Sequence, residues 1–232
     1  MRKKTLKYKE ITFVSFQFKF AKEYNPQPAS RFIPEWYKKT TGHIGKKNHP
    51  EGIPTIKQCV PVLDAITAGY IIVTPCDVFV TIEDGEPHYS TPNNQPIIEY
   101  HPRKQAHLHP LSNDFQFPKW INAWSIKTPK GFSLLFVPPL HNPNPWFEIM
   151  PGLVDTDIYS APVNFPFVLK NPTKECLIPA GTPIAQLIPI KRENWESKLS
   201  IDETEQLNFY KLTRSVFFAR YKKMFWARKS YR

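Results

Sequence analysis

The chain has 232 residues, 41% of them hydrophobic, with Pro 25, Gly 8 and a formal charge of +11. This is enough apolar material for one packed domain with extensions, and the proline content argues against a helix bundle and for short strands joined by proline-ordered loops. Cys59, Cys76 and Cys176 are widely spaced with no CxxC pair, which argues against a disulfide framework or zinc knuckle, and no run reaches the roughly 18 apolar residues of a membrane helix.

In chain order, residues 10–21 place Phe13, Val14, Phe16, Phe18 and Phe20 at a period near two, which predicts a half-buried strand. Pro26, Pro28 and Pro34 forbid a long element after it, and Pro34 opens one helical turn over residues 35–39. Residues 40–52 are polar and basic and read as a loop. From Thr55 the chain turns apolar and reads as several short strands broken at Pro61, Gly69 and Pro75. Residues 85–118, rich in Pro, His and Asn, read as an insertion carrying a hairpin or a long loop. Residues 120–140 read as strand, turn at Pro129-Lys130-Gly131, strand, with proline early and glycine late in the turn. Residues 152–190 add two or three strands and a tight turn at Pro179-Ala180-Gly181-Thr182. The cysteines fall among apolar residues and are expected to be small core side chains in a reducing compartment.

The C-terminal stretch changes character. Ser200 and Glu203 have capping-box spacing, and no Gly or Pro follows. Leu207, Tyr210, Val216, Phe217, Tyr221, Met224 and Phe225 recur at three- and four-residue spacings, which predicts one helix of about six or seven turns. It carries Lys211, Arg214, Arg220, Lys222, Lys223, Arg228 and Lys229, and no acid follows Lys211. Three readings stay open: a surface for nucleic acid or another polyanion, a helix on an anionic membrane surface, or a helix docked on the body or a neighbouring subunit.

Two motifs stand out. Gly152-Leu153-Val154-Asp155-Thr156-Asp157, followed by Ile158 and Tyr159, and Gly181-Thr182-Pro183-Ile184-Ala185-Gln186-Leu187-Ile188 resemble motifs of the dUTPase and dCTP-deaminase family. Weaker echoes lie upstream in Ala68-Gly69-Tyr70 and Val137-Pro138-Pro139-Leu140. The resemblance covers roughly residues 65–85 and 125–192. It implies an all-β fold, a dUTPase-like β-barrel or jelly-roll, here with an N-terminal extension and a C-terminal α-helix. The expected division is 1–54 as strand and proline-rich extension, 55–195 as barrel with the insertion near 85–118, and 196–232 as basic aromatic helix. It also implies a homotrimer with clefts between subunits. In such a cleft Asp155 would activate water, an aromatic (Tyr159, one place late) would lie under the deoxyribose, and Gln186 would help hold phosphates, with magnesium accompanying any bound nucleotide.

The departures are as informative. Ile71 stands where the family has an aspartate, and Pro139 and Leu140 replace an arginine and a serine. No glycine follows Arg192, so the glycine-rich arm that closes over a triphosphate has no counterpart. The wording PASRFIPEWYKK resembles proteins of large tailed phages. The leading expectation is therefore a non-catalytic phage-type structural or binding protein on a degenerate barrel, part of a virion or other oligomeric assembly. It would sit in the virion or in the cytoplasm of an infected host cell, with other virion proteins as further partners and no transmembrane segment. The alternative is a nucleotide hydrolase or a nucleotide-binding sensor or sponge using a trimer-interface cleft. Asp155 and Asp157, two apart on a strand, would then face one side. A third class, a metal-dependent oxygenase, rests on His101, His107 and His109. His107 and His109 could bind Zn or Fe(II), with Glu99 or Asp114 completing a facial triad.

Overall fold

Alternation dictates the first element: β1 (Thr12–Ser15) turns Phe13 toward the core and Val14 toward solvent. The computed structural model describes residues 8–15, 23–45, 52–106, 108–110, 117–201, 203–214 and 221–232, so Phe16, Phe18 and Phe20 lie outside the described residues. β2 (Gln27–Pro28) is followed by the expected helical turn α1 (Glu35–Lys39), with Pro34 just before it. A two-residue pair, β3 (His43–Ile44) and β4 (Ile53–Pro54), leads to α2 (Val60–Thr67).

Here the structure departs from the strand reading. The β-branched residues of 60–67 suggested extended chain, but Pro61 sits in the first turn of a helix, where its missing N–H costs nothing. Val60 and Ile66 are buried, and Thr67 Oγ1 donates to Leu63 O at 2.8 Å. The stretch expected as an insertion also belongs to the sheets. β6 (Val78–Glu83) turns through Asp84-Gly85, both at positive φ, into β7 (Glu86–Ser90). That is the hairpin signature of a two-residue Asp-Gly turn. β8 (Ile98–His101) pairs with β9 (Phe117–Trp120).

The remaining strands are β5 (Tyr70–Val73), β10 (Trp124–Lys127), β11 (Phe132–Val137), β12 (Phe147–Ile149), β13 (Gly152–Val154), β14 (Phe165–Leu169), β15 (Cys176–Ile178) and β16 (Pro183–Lys191). They form antiparallel sheets of order β13-β11-β16-β5-β2, β12-β14-β9-β8 and β15-β6-β7, with β1 on β10. The fold is all-β, as expected. The 129–131 turn does not close a hairpin: β10 pairs with β1, and β11 goes to the five-stranded sheet. β1 and β2 thus tie the N-terminal stretch into the body.

One core joins the sheets. Leu134, Phe136, Ile184 and Leu187 come from one side, and Trp120, Phe147, Phe165 and Phe167 from the other. The Trp120 indole stacks on Phe167 at 5.0 Å and 23°. Cys76 and Cys176 pack at the core's margin, but Cys59 is exposed, contrary to expectation, because it caps the start of α2 on the outside of the body.

The basic helix forms only in part. α3 (Glu203–Arg214) is present, residues 221–225 make one wider turn, and 226–232 leave the helix altogether. Phe217, Phe218 and Arg220 lie outside the described residues. The last residues fold back onto the body. Trp226 Nε1 donates to Asp64 Oδ2 at 2.9 Å, and Lys229 Nζ reaches the same oxygen at 2.6 Å. Tyr70 Oη donates to Arg232 O at 3.2 Å. Those partners explain why the helical periodicity stops mattering there: side-chain bonds to α2 and β5 fix an irregular strap. No helix among the described residues is long and apolar enough to cross a membrane.

Candidate functional site

Strand register brings the two carboxylates of the Gly-Leu-Val-Asp-Thr-Asp motif to one corner. Leu134 lies opposite Val154, which sets Ser133 level with Asp155. Phe132 lies opposite Lys191, which sets Arg192 beside Gly131, and Arg192 N donates to Gly131 O at 2.9 Å. β13 ends at Val154, so the aspartates occupy a turn beyond the strand: Ile158 N and Tyr159 N both donate to Asp155 O. The expectation of two carboxylates alternating on one strand is corrected in this respect, although both still converge on the same partner.

That partner is Arg192. Its Nη1 lies 2.7 Å from Asp157 Oδ1 and 3.1 Å from Asp155 Oδ1. Gly131 N donates to Asp157 Oδ2 at 2.8 Å, and Ser133 Oγ donates to Asp155 Oδ1 at 2.6 Å. Below them the buried Thr128 and Thr156 hydroxyls meet at 2.8 Å, with Thr128 Oγ1 donating to Phe132 O. The two acids differ in access. The Asp157 side chain is 4% exposed and the Asp155 side chain 54%. The Arg192 hydrogen bonds, seconded by Gly131 N–H, hold the Asp157 carboxyl down to about 2, and the same contact raises Arg192. Asp157 is therefore a fixed counter-charge. Asp155 keeps an open side, but one of its oxygens already serves Ser133 and Arg192. Ile158 and Tyr159 are both exposed at the tip.

Gln186 has the opposite surroundings. It is buried on β16, its Nε2 donates to Ala65 O at 2.8 Å and Ala68 O at 2.7 Å, and its Oε1 accepts from Leu140 N at 2.8 Å. The amide thus closes the C-terminal carbonyls of α2 and pins the 137–140 turn. Gly69 is required next to it: at φ +69 a Cβ would lie 1.8 Å from Leu187 O. Gln186 and Asp155 are not brought together around a common cleft. Ile71, at the position where the resembled motif has a carboxylate, is 2% exposed in the core.

The other expected sites separate. His107 and Asp114 lie outside the described residues, His109 is exposed, and Glu99 pairs with Lys119 at 3.1 Å. Among the described residues no group of three or more His, Cys, Asp or Glu could hold a metal. Lys211, Lys222 and Arg228 are exposed, and Lys229 is tied to Asp64. The side chains of Arg214 and Lys223 and the whole of Arg220 lie outside the described residues. Sequence reasoning missed Arg192 and Ser133. The available signal was positional: Arg192 directly follows a long apolar strand. It also missed Asp64 and Tyr70 as anchors of the strap.

No protein-family model and no curated protein matches the chain. Among solved structures it is similar to a mutant dUTPase of Staphylococcus bacteriophage 80alpha with dUpNHpp. The similarity is 13% identity over 69% of this chain and 85% of that one, at a TM-score of 0.30. A similarity at that level assigns no activity to this chain.

Proposed function

We propose that this protein is a non-catalytic structural or binding protein of an oligomeric assembly of phage type, built on a barrel whose motif residues now serve architecture. The observation that carries this reading is the double occupation of the motif side chains. Gln186 spends its whole amide on Ala65, Ala68 and Leu140, and Asp157 is consumed by Arg192 and Gly131. Phosphoryl chemistry depends on positioned charges around the transferred group, and Ile71, Pro139 and Leu140 occupy positions where such groups would stand. The exposed Leu153, Ile158 and Tyr159 surround the same corner and offer an apolar contact surface. A trimer is the assembly we favour, with the corner at its subunit contacts.

A second reading, a nucleotide-binding sensor or sponge, draws on Asp155: its carboxylate is more than half open and sits against a hydroxyl. A thermal-shift panel with dUTP, dCTP, dTTP and UTP, each with magnesium, separates the two. The assembly reading expects no shift, and more than one copy per particle in sedimentation velocity. A nucleotide-specific shift abolished by Asp155→Ala would favour the sensor, and a strictly monomeric species would remove the assembly.

A further inference from the structure

A groove of about 500 Å³ opens between residues 8–11 and residues 230–232, over Tyr70 and Phe132. A second hollow of about 480 Å³, bounded by Gln27 and Arg31, shares Ile11, Tyr70, Tyr231 and Arg232 with it, so the two run together across Tyr70. Each has the size of a ligand cleft. Rings and cations are interleaved along the walls. The Arg232 guanidinium lies 3.6 Å from the centre of the Tyr8 ring, and Lys9 Nζ lies 4.3 Å from that of Phe132. Tyr70 meets Phe13 edge-on at 5.3 Å and Tyr231 at 6.2 Å. Among the described residues lining the two hollows, Glu10 is the only acid, against Lys9, Arg31 and Arg232.

We propose that this groove binds single-stranded nucleic acid, with phosphates along Lys9, Arg31 and Arg232 and unpaired bases against the rings of Tyr8, Tyr70, Phe132 and Tyr231. The chemistry selects this ligand. Cations alone would suit any polyanion, but aromatic rings inside a hollow add binding only for flat groups that can enter it. The bases of a duplex are already stacked and paired. An anionic membrane would need its apolar residues on a projecting face, and here they line a recess. Three phosphate contacts form a small, salt-sensitive footprint. None of Asp155, Asp157, Ser133 and Arg192 lines the groove, which meets the motif corner at Thr128 and Phe132; variants at Lys9, Arg31 and Tyr8 therefore test it apart from the two aspartates. It also moves the polyanion surface away from α3 to the seam between the N-terminal segment and the C-terminal strap.

The test is fluorescence anisotropy of a short labelled oligo-dT with the full chain. Three contacts at about −0.7 each give a log–log salt slope of about −2, a loss of roughly twentyfold between about 50 and 200 mM salt. Lys9→Ala with Arg31→Ala should flatten the slope to about −0.7, and Tyr8→Leu should weaken binding at least about fivefold. Tyr8 and Lys9 are exposed, so these variants should melt like wild type. Lys211→Ala with Lys222→Ala should leave binding unchanged. The proposal is overturned if oligo-dT does not bind at low salt. It also fails if the Lys211/Lys222 variant loses binding while the Lys9/Arg31 variant keeps it. Tighter binding to duplex of equal length, or to phosphatidylserine vesicles alone, would overturn it too.

Discussion

Around Gln186 both polar atoms of the side chain are bound to the backbone of neighbouring elements, whereas around Asp155 the turn after β13 stays open to solvent and the guanidinium of Arg192, just past the end of β16, closes the charge. Both stretches resemble motifs of the same family, yet they were placed by different forces. At Gln186 the requirement is satisfaction of buried peptide groups, which costs heavily when unmet. At Asp155 the requirement is charge pairing near the surface, which contributes little to stability. A motif can thus persist in sequence for two unrelated physical reasons, and resemblance alone does not separate them from catalysis.

The comparison can be broken most forcefully on its buried side. Gly69→Ala places a Cβ against the Leu187 carbonyl and forces a side chain into left-handed backbone. It should cost more than about 3 kcal/mol, read by urea unfolding. Gln186→Leu keeps the volume but removes the partner of Ala68 O and Leu140 N and leaves Ala65 O only the long bond from Ala68 N. A loss of about 2–3 kcal/mol is expected, with no change in any nucleotide response. A loss under about 0.5 kcal/mol would mean water replaces the amide and the site is less closed than it looks.

The open side should respond to charge more than to truncation. Asp157 is held at about 2, below its ordinary value, so its contribution to stability is complete above about pH 4 and fades as the pH falls toward 2. Arg192→Met should return the Asp157 carboxyl toward about 4 in an NMR titration and remove that acid-side dependence. Asp155→Ala should change stability least, within about 0.5 kcal/mol.

The same contrast explains what could be read from the chain. Elements set by local signals were legible: the alternation around Phe13 in β1, the Gly181 turn, the proline-opened α1 and, to within a few residues, the start of α3. α2 was not, because β-branched residues fit either state and the decisive bonds come from Gln186, far away in sequence. The Asp84-Gly85 hairpin carried a valid signal that polar composition obscured. Of the candidate site, Asp155 and Asp157 were legible as a pair. Their partner was not, because Arg192 reaches them only through the register of β11 with β13 and β16. The strap's departure from helix was equally hidden, since Asp64 and Tyr70 supply bonds that periodicity does not encode.

The measurement closest to the central claim is a turnover assay with dUTP, dCTP, dTTP and UTP in magnesium, on wild type and on Asp155→Ala. The account predicts no nucleotide hydrolysis by either protein. Hydrolysis of one nucleotide by wild type that disappears in Asp155→Ala would contradict it and return this corner to chemistry.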